Sequence, residues 1–166
     1  LAGRHEPLIL AATAPIGPMY RAVCSYPHFA EEGITSSPTR MSLRDLAAAA
    51  RPIIDQLHAA RLSRFATLYA ERANAGRASS DVAALARAAT FGAVDTLLVD
   101  IDEVLPGEVD EETGAVSFAD TAGAASYGII DEIAGRVLLN GGTVIGVRRA
   151  DVPDDAALAG ILRYAF

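Results

Sequence analysis

The sequence predicts a mixed α/β protein in which helices pack on both faces of a β-sheet. Three observations lead to this class. One long helical pattern runs through the middle of the chain, over residues 42–74. Helical and strand-like segments then alternate to the end of the chain, and two strand-like segments, residues 94–101 and 143–147, are rich in apolar residues. Strands this apolar are buried on both faces, so helices are expected above and below them.

The start of the chain combines one strand-like run with several chain breakers. Residues 8–12 are apolar without alternation, which predicts a strand buried on both faces. Because no second strong strand follows until Val94, we expect its sheet partners to lie upstream of the sequence. Residues 15–18 contain two prolines and a glycine, and they precede residues 19–24, which fit either a helical turn or a short strand. Residues 26–38 are interpreted as a loop.

The long helix has a clear beginning and one internal disturbance. Ser42 is a good N-cap, and Asp45 three residues later completes a capping box. Apolar residues then recur at helical spacing as far as Leu68, and the helix is expected to end near Gly76. Pro52 removes a backbone donor and clashes with the preceding turn, so a kink or a break between two helices is expected there.

Residues 76–101 predict one helix followed by one central strand. The stretch 76–80 resembles a linker whose serines can cap the next helix. That helix is predicted over residues 81–91. Asp81 suits its positive N-terminal end, and Gly92 is expected to end the helix in a left-handed backbone conformation. The strand is predicted over residues 94–101.

The last third of the chain predicts a hairpin and further helix and strand pairs. Residues 102–126 are acidic, and apolar residues at 109, 116 and 118 around a Glu-Thr-Gly turn suit a small exposed hairpin. Residues 127–139 are apolar on one side and predict a helix that ends at Asn140-Gly141-Gly142. A second buried strand is predicted over 143–147. A short helix over 154–161 and a closing strand over 162–166 are expected to follow.

Composition limits the class of protein. The longest apolar runs are much shorter than the roughly 20 residues of a membrane-spanning helix, so no membrane segment is predicted. No signal-peptide pattern is recognisable, and the chain opens without Met, which we interpret as a truncation. Cys24 is the single cysteine, which excludes an internal disulfide and a cysteine-paired zinc site. The cytoplasm is therefore the expected compartment.

Charge is divided unevenly along the chain. Residues 1–80 contain nine arginines and six acidic residues, whereas residues 81–166 contain five arginines and fifteen acidic residues. The second part would therefore repel a phosphate backbone. Arginines on or near the long helix could form a phosphate-facing stripe, although a solvated helix face is the simpler explanation. These arginines are Arg40, Arg44, Arg51, Arg61, Arg64 and Arg72.

The strongest catalytic signal is a pair of acids at the end of a strand. Asp100 and Asp102 follow an apolar run, and two such carboxylates can bind Mg²⁺ beside an attacking carboxylate. This opening resembles the first motif of haloacid-dehalogenase-like phosphatases. Those enzymes also need a Thr or Ser after a later strand, a distal cation and a further acidic pair. The sequence contains no lysine and no hydroxyl residue two positions after Asp102, so acids that solvate a strand end are the favoured explanation.

Other signals of catalysis or of cofactor binding are missing from the sequence. His5, His28 and His58 lack the short spacings of a zinc site. Cys24 has apolar neighbours, which favours a packed thiol over a nucleophile. No nucleophile elbow, phosphate loop or dinucleotide fingerprint occurs. We therefore predict no catalytic, cofactor-binding or metal-binding residue and no cofactor.

A family resemblance rests on residues 77–100, where a helix leads directly through Gly92-Ala93-Val94-Asp95 into a strand. This stretch resembles the start of the third domain of class-1 archaeal and eukaryotic peptide chain release factors and of Pelota. There, a helix after a short glycine-containing linker leads into Gly-Ala-Val-acid and a strand. The order upstream is also similar, with a strand, a variable loop and a long helix that enters the third domain. The resemblance covers most of the chain and identifies it as a bacterial relative.

The resemblance implies a domain organisation. Residues 1–75 would be the tail of a ribonuclease-H-like central domain, and residues 76–166 would form a complete third domain. That domain is an α/β/α sandwich like that of ribosomal proteins that bind kink-turn RNA. Peptidyl-tRNA hydrolysis in the family depends on a Gly-Gly-Gln tripeptide in the central domain. The only Gly-Gly here is Gly141-Gly142, followed by Thr143, so no catalytic residue is carried over.

The resemblance also implies the kind of partner. The third domain of these factors mainly binds proteins, namely a translational GTPase and ribosomal elements. An acidic domain agrees with protein contact and predicts against direct RNA binding by residues 76–166. We therefore expect a non-catalytic binding region of a release-factor-like or Pelota-like protein, which acts with the ribosome in termination or rescue.

The expected partner surface is the acidic segment 102–120, with an arginine pair as a secondary patch. Its candidate residues are Asp102, Glu103, Glu108, Asp110, Glu111, Glu112, Arg148 and Arg149. Two alternatives remain open. One is a Mg²⁺-dependent phosphotransferase that uses Asp100 and Asp102, and the other is a protein interaction unrelated to translation. No membrane partner is expected, and the sequence does not indicate an oligomeric state.

Overall fold

The structure, a computed structural model, describes residues 6–119 and 128–166. The chain divides into two units, Leu1–Arg61 and Leu62–Phe166. The domain boundary expected between residues 75 and 76 stays a prediction. None of the helices in the described ranges is long and apolar enough to cross a membrane.

In the first unit, the apolar run 8–12 pairs with a segment downstream of it. Leu8 forms a parallel bridge with Phe29, and Ala11 forms one with Ile34. The Leu8 N–H donates to the His28 carbonyl at 2.9 Å. The expected burial on both faces is wrong, because residues 8–12 are all half-buried. The pairing partner therefore lies within residues 28–34. These residues were interpreted as loop because isolated bridges leave no strand-length pattern in the sequence.

The first helix, α1 (Ile16–Val23), resolves the ambiguity over residues 19–24 in favour of a helix. Pro15 is its N-cap and Pro18 lies in its first turn. Prolines are tolerated there because the first N–H groups of a helix have no intrahelical acceptor. Cys24 follows as the C-cap and is half-buried.

The long helix, α2 (Leu43–Ala73), begins with the predicted capping box. The Asp45 N–H donates to Ser42 Oγ at 3.2 Å, and the Ser42 N–H donates to Asp45 Oδ2 at 3.3 Å. The helix continues through Pro52 as one element, so the expected break into two helices is wrong. Pro52 and Ala48 are both exposed, so water can satisfy the carbonyl that loses its hydrogen bond.

The second unit is built on a four-stranded sheet. Its strands are β1 (Ala78–Ser79), β2 (Val94–Asp100), β5 (Thr143–Val147) and β6 (Leu158–Leu162), in the order β1-β6-β2-β5. Strand β2 is parallel to β5 and antiparallel to β6. A separate hairpin consists of β3 (Gly107–Val109) and β4 (Val116–Phe118), as predicted.

Helices cover both faces of this sheet, which confirms the predicted α/β/α sandwich. One face packs against α3 (Val82–Thr90) and α4 (Ile129–Leu139), and that core includes the fully buried Leu85, Leu97 and Ile133. The other face packs against the last part of α2, which contributes Phe65. The predicted ends of α3 are confirmed, because Asp81 Oδ1 accepts the Ala84 N–H at 2.7 Å and Gly92 adopts a φ of +67°.

The end of the chain differs most from the sequence prediction. The helix expected over residues 154–161 is wrong: two short 3-10 turns, Arg149–Asp151 and Pro153–Asp155, precede the buried strand β6. A Cβ on Gly160 would lie 2.4 Å from Leu85 Cδ2, so this strand packs closely on α3. The closing strand over residues 162–166 is also wrong, because β6 ends at Leu162.

Three smaller predictions also need correction. Strand β5 is an edge strand with two of its five residues buried, whereas full burial was expected. The linker over residues 76–80 contains the two-residue strand β1, which pairs with β6. The helix expected over residues 127–139 is α4, and residues 120–127, including Tyr127, lie outside the described part of the chain.

Candidate protein-interaction surface

The hairpin turn is built around the side chain of Asp110. Asp110 Oδ1 accepts the Thr113 hydroxyl at 2.6 Å, the Thr113 N–H at 2.7 Å and the Glu112 N–H at 3.2 Å. Gly114 then adopts a φ of +68°, and its N–H donates to the Asp110 carbonyl at 3.0 Å. Asp110 therefore orders the turn, although the sequence placed it among the partner-binding acids.

These bonds favour the charged form of Asp110. The Thr113 hydroxyl, and after it the Thr113 N–H, hold the pKa of the Asp110 carboxyl below its ordinary value. The lowered pKa means that this contribution to hairpin stability is fully present above the unfolded pKa of about 3.9. It is lost as the pH falls through the lower pKa of the folded state.

Replacing Thr113 by valine is expected to raise the pKa of Asp110 towards its ordinary value, because the hydroxyl donor is removed. The two N–H donors remain, so the change is expected to be partial. A carbon-detected NMR titration of the Asp110 carboxyl measures it. Ser117→Ala, in the neighbouring strand β4, is the control and should leave the Asp110 titration unchanged. An equal pKa of Asp110 in Thr113→Val and the parent chain would contradict the assignment.

Glutamates surround this ordered turn. Glu108, Glu111 and Glu112 are exposed, and together with Glu132 of α4 they line an open depression beside the hairpin. We call the segment Gly107–Phe118, with its exposed glutamates, the acidic hairpin. Like charges at this spacing produce a negative field that attracts cations and basic side chains.

Arg136 of α4 anchors the acidic hairpin to the rest of the unit. Its guanidinium donates to the carbonyls of Val109 and Asp110 at 2.9 Å each, to Thr90 Oγ1 at 2.6 Å and to Glu132 Oε1 at 2.8 Å. The Arg136 side chain is only 11% exposed. One guanidinium therefore joins the hairpin, α3 and α4.

Gly114 provides a second attachment of the hairpin to α3. A Cβ at this position would lie 2.6 Å from Thr90 Oγ1 and 2.7 Å from Arg87 Cα. Only a glycine allows the turn to approach the helix this closely, and its positive φ also favours glycine. The acidic hairpin is thus held at both its strand and its turn.

The remaining candidate residues form ion pairs where β2 and β5 end. Arg148 pairs with Asp102, and Arg149 Nη1 lies 2.5 Å from Glu103 Oε2. Arg149 Nε also donates to the Asp155 carbonyl at 2.9 Å. Parallel neighbouring strands end at the same edge of the sheet, which brings together residues that lie 46 positions apart in the sequence.

These ion pairs change the interpretation of the arginine patch. The sequence predicted Arg148 and Arg149 as a secondary patch of the surface, and each arginine is paired with an acid of the same surface. Exposed pairs of this kind contribute only about 0–1 kcal/mol, and they reduce the local net charge. The acidic hairpin is therefore the more strongly charged part of the candidate surface.

Asp100 and Asp102, the candidate magnesium ligands, have other partners. Asp100 is 5% exposed, and its Oδ1 accepts the Asp102 N–H at 3.1 Å. The Asp102 carboxylate pairs with Arg148. A strand-end turn and an ion pair thus account for both side chains. Within residues 6–119 and 128–166, no three His, Cys, Asp or Glu side chains are grouped as metal ligands.

Three residues of the surface were missed by the sequence interpretation. Glu132 and Arg136 lie four positions apart in α4, a spacing that places them side by side and could have indicated the pair. Nothing in the sequence indicated that Asp155 would reach Arg149. Residue 120, the end of the predicted acidic segment, lies outside the described ranges, as does His5.

Comparisons with known proteins agree with the resemblance predicted from residues 77–100. The family model of bacterial archaeo-eukaryotic release factor family 11 matches residues 1–60. No curated protein sequence matches the chain.

The solved structures that are similar to this one include two archaeal proteins. The C-terminal domain of a peptide chain release factor from Methanosarcina mazei has a TM-score of 0.57 at 17% identity, over 78% of this chain and 96% of that chain. Pelota from Archaeoglobus fulgidus has a TM-score of 0.48 at 18% identity, over 95% of this chain and 49% of that chain. The chain is therefore similar in sequence to bacterial archaeo-eukaryotic release factor family 11 over residues 1–60, and it has the fold of an archaeal release-factor C-terminal domain.

Proposed function

We propose that this chain is the non-catalytic binding region of a release-factor-like protein, and that the acidic hairpin is its contact to a basic surface of the translation machinery. Residues 76–166 would be the partner-binding domain, and residues 1–75 the end of the domain before it. The release-factor fold and the family match support a role in translation. The observation that carries the choice of surface is the group of exposed glutamates Glu108, Glu111 and Glu112 on an anchored hairpin.

The chemistry of the acidic hairpin favours a protein partner. Its carboxylates repel nucleic-acid phosphates and attract lysine and arginine side chains. Complementary charge of this kind mainly raises the rate of association and the specificity of binding. A basic face of a ribosomal protein or of a translational GTPase has the required charge.

The anchoring of the hairpin supports the same proposal. A loop that must become ordered on binding loses affinity through conformational entropy. Here Arg136 and Gly114 already hold the hairpin against α3 and α4, so little ordering remains to be done. A fixed charged surface is suited to repeated, specific contacts.

Neutralising the hairpin glutamates tests this function. Glu108, Glu111 and Glu112 are replaced together by glutamine, and binding of the chain to purified ribosomes is measured by co-sedimentation at low and moderate salt. We expect the bound fraction to fall several-fold at low salt, because the three carboxylates supply the long-range attraction. The parent chain should also bind less as salt is raised.

A matched variant separates the surface from net charge. Glu31, Glu32 and Glu71 are also exposed, and their replacement by glutamine changes the charge of the chain by the same amount. This control is expected to bind ribosomes like the parent. Equal binding by both triple variants would refute the role of the acidic hairpin. If the parent chain does not sediment with ribosomes, capture of purified translational GTPases by the immobilised chain tests the other partner, and failure of both refutes the proposed function.

A further inference from the structure

Strand β5 is an open edge of the main sheet. The Ile101 N–H donates to the Val147 carbonyl at 3.0 Å, so the main-chain groups of Val147 face β2. Main-chain groups alternate between the two edges along a strand. Ile145 therefore also faces β2, whereas Val144 and Gly146 direct their N–H and C=O groups away from the sheet. In the described part of the chain, no strand pairs with this outer edge.

The two edges of the sheet differ in their protection. The opposite edge strand, β1, is only two residues long, and such a short strand offers little to a partner. Strand β5 has five residues, Thr-Val-Ile-Gly-Val, without a charge or a proline. Charged residues, prolines and bulges are the usual features that prevent edge strands from pairing with another chain. Gly146 is exposed, so the outer groups are accessible.

We infer that β5 pairs with β5 of a second copy of this chain, antiparallel and about a two-fold axis at Ile145. In this register Val144 of each copy lies opposite Gly146 of the other. Both residues have outward N–H and C=O groups, so each of the two pairs exchanges two main-chain hydrogen bonds. The strand is therefore complementary to itself, and the two sheets become one continuous sheet across a closed, symmetric interface.

The local charges at the two ends of β5 are compatible with a second copy as the occupant. The two ends of β5 differ, because Arg148 and Arg149 follow it and the C-terminal end of α4 precedes it. The antiparallel register places Arg148 of one copy opposite Gly142 of the other, just beyond α4. The C-terminal end of a helix carries a partial negative charge and favours cations. The pairing thus places Arg148, which also pairs with Asp102, near this partial negative charge at both ends of the interface.

Blocking the edge tests the inference. Gly146→Pro removes the outward N–H without removing a hydrogen bond to β2, a position at which proline is tolerated in edge strands. Gly146→Ala is the matched control, because it keeps the N–H. In both variants the new Cβ meets the same atom, Ile101 Cγ2, at 2.8 Å. Analytical ultracentrifugation over a range of micromolar concentrations measures the assembly.

The expected result is a reversible dimer of the parent chain and of Gly146→Ala, at twice the mass of the 17.3 kDa chain. Gly146→Pro is expected to dimerise at least about tenfold more weakly. A parent chain that stays monomeric at every concentration overturns the inference and leaves the edge for an extended peptide of another protein. Equal dimerisation of the proline and alanine variants overturns it as well.

Amide hydrogen exchange of the parent chain tests the register without any substitution. As the concentration rises, the amides of Val144 and Gly146 are expected to gain about tenfold protection, because within β5 only these become bonded in the dimer. The amides of Ile145 and Val147 should not change, because they already face β2. A dimer that leaves Val144 and Gly146 unprotected would overturn the proposed register.

Discussion

Replacing Gly114 by alanine is expected to detach the acidic hairpin from α3 and to lower the free energy of unfolding of the second unit by about 2–4 kcal/mol. Two costs combine. The backbone has a φ of +68°, which an alanine adopts only with strain. The new Cβ would also lie 2.7 Å from Arg87 Cα and 3.0 Å from the Ala86 carbonyl, which belong to a helix backbone that cannot move aside cheaply.

Gly141 offers a matched control for the steric part of this effect. It has a similar φ of +72°, and a Cβ there would meet nothing within 4 Å. Gly141→Ala should therefore cost only the backbone strain, about 1 kcal/mol. Urea unfolding compares the two variants, and amide exchange of residues 107–118 reports whether the hairpin opens. Equal losses of stability in the two variants would show that the close approach to α3 does not matter.

Replacing Arg136 by methionine is expected to lower the free energy of unfolding of the same unit by about 2–4 kcal/mol. Methionine keeps much of the length and packing of the side chain but donates no hydrogen bond. The carbonyls of Val109 and Asp110 would each lose the Arg136 donor, as would Thr90 Oγ1 and Glu132, although the Asp110 carbonyl keeps the Gly114 N–H. The cost is large because the side chain is only 11% exposed, so water cannot readily replace the guanidinium.

Arg148→Met is the control for removal of an arginine charge in the same unit. Arg148 also pairs with an acid, but its side chain is 66% exposed. Its replacement is therefore expected to change the free energy of unfolding by less than about 1 kcal/mol. Urea unfolding of both variants measures the difference. If Arg136→Met were as mild as Arg148→Met, the anchoring role of Arg136 would be wrong.

Local signals in the sequence predicted several elements well. The Ser42 and Asp45 capping box, the Asp81 cap and the Gly92 stop depend on residues within a few positions of each other, and all three are present. The hairpin could be predicted for the same reason, since its turn residues and flanking apolar residues are adjacent. The sandwich fold followed from the alternation of these local elements.

Elements that depend on distant contacts could not be predicted in the same way. The run Leu158–Leu162 consists of small and apolar residues without a period, so a buried strand and a buried helix leave the same pattern. Its position between β1 and β2 decides the matter, and that is a property of the whole sheet. The pairing of Arg148 with Asp102 likewise needs β2 and β5 to be neighbours. Both residues were candidates from the sequence, but their ion pair could not be predicted from it.

The turn of the acidic hairpin separates the residues that hold it from those that face outwards. Asp110, Thr113 and Gly114 shape the loop, and Arg136 of α4 holds it in place. Of Glu111 and Glu112, the loop uses only the backbone N–H of Glu112. Any residue except proline can provide that backbone N–H. The outward positions are therefore free to diverge between relatives, and a change of sign there would redirect the protein to an acidic partner while its scaffold remained intact.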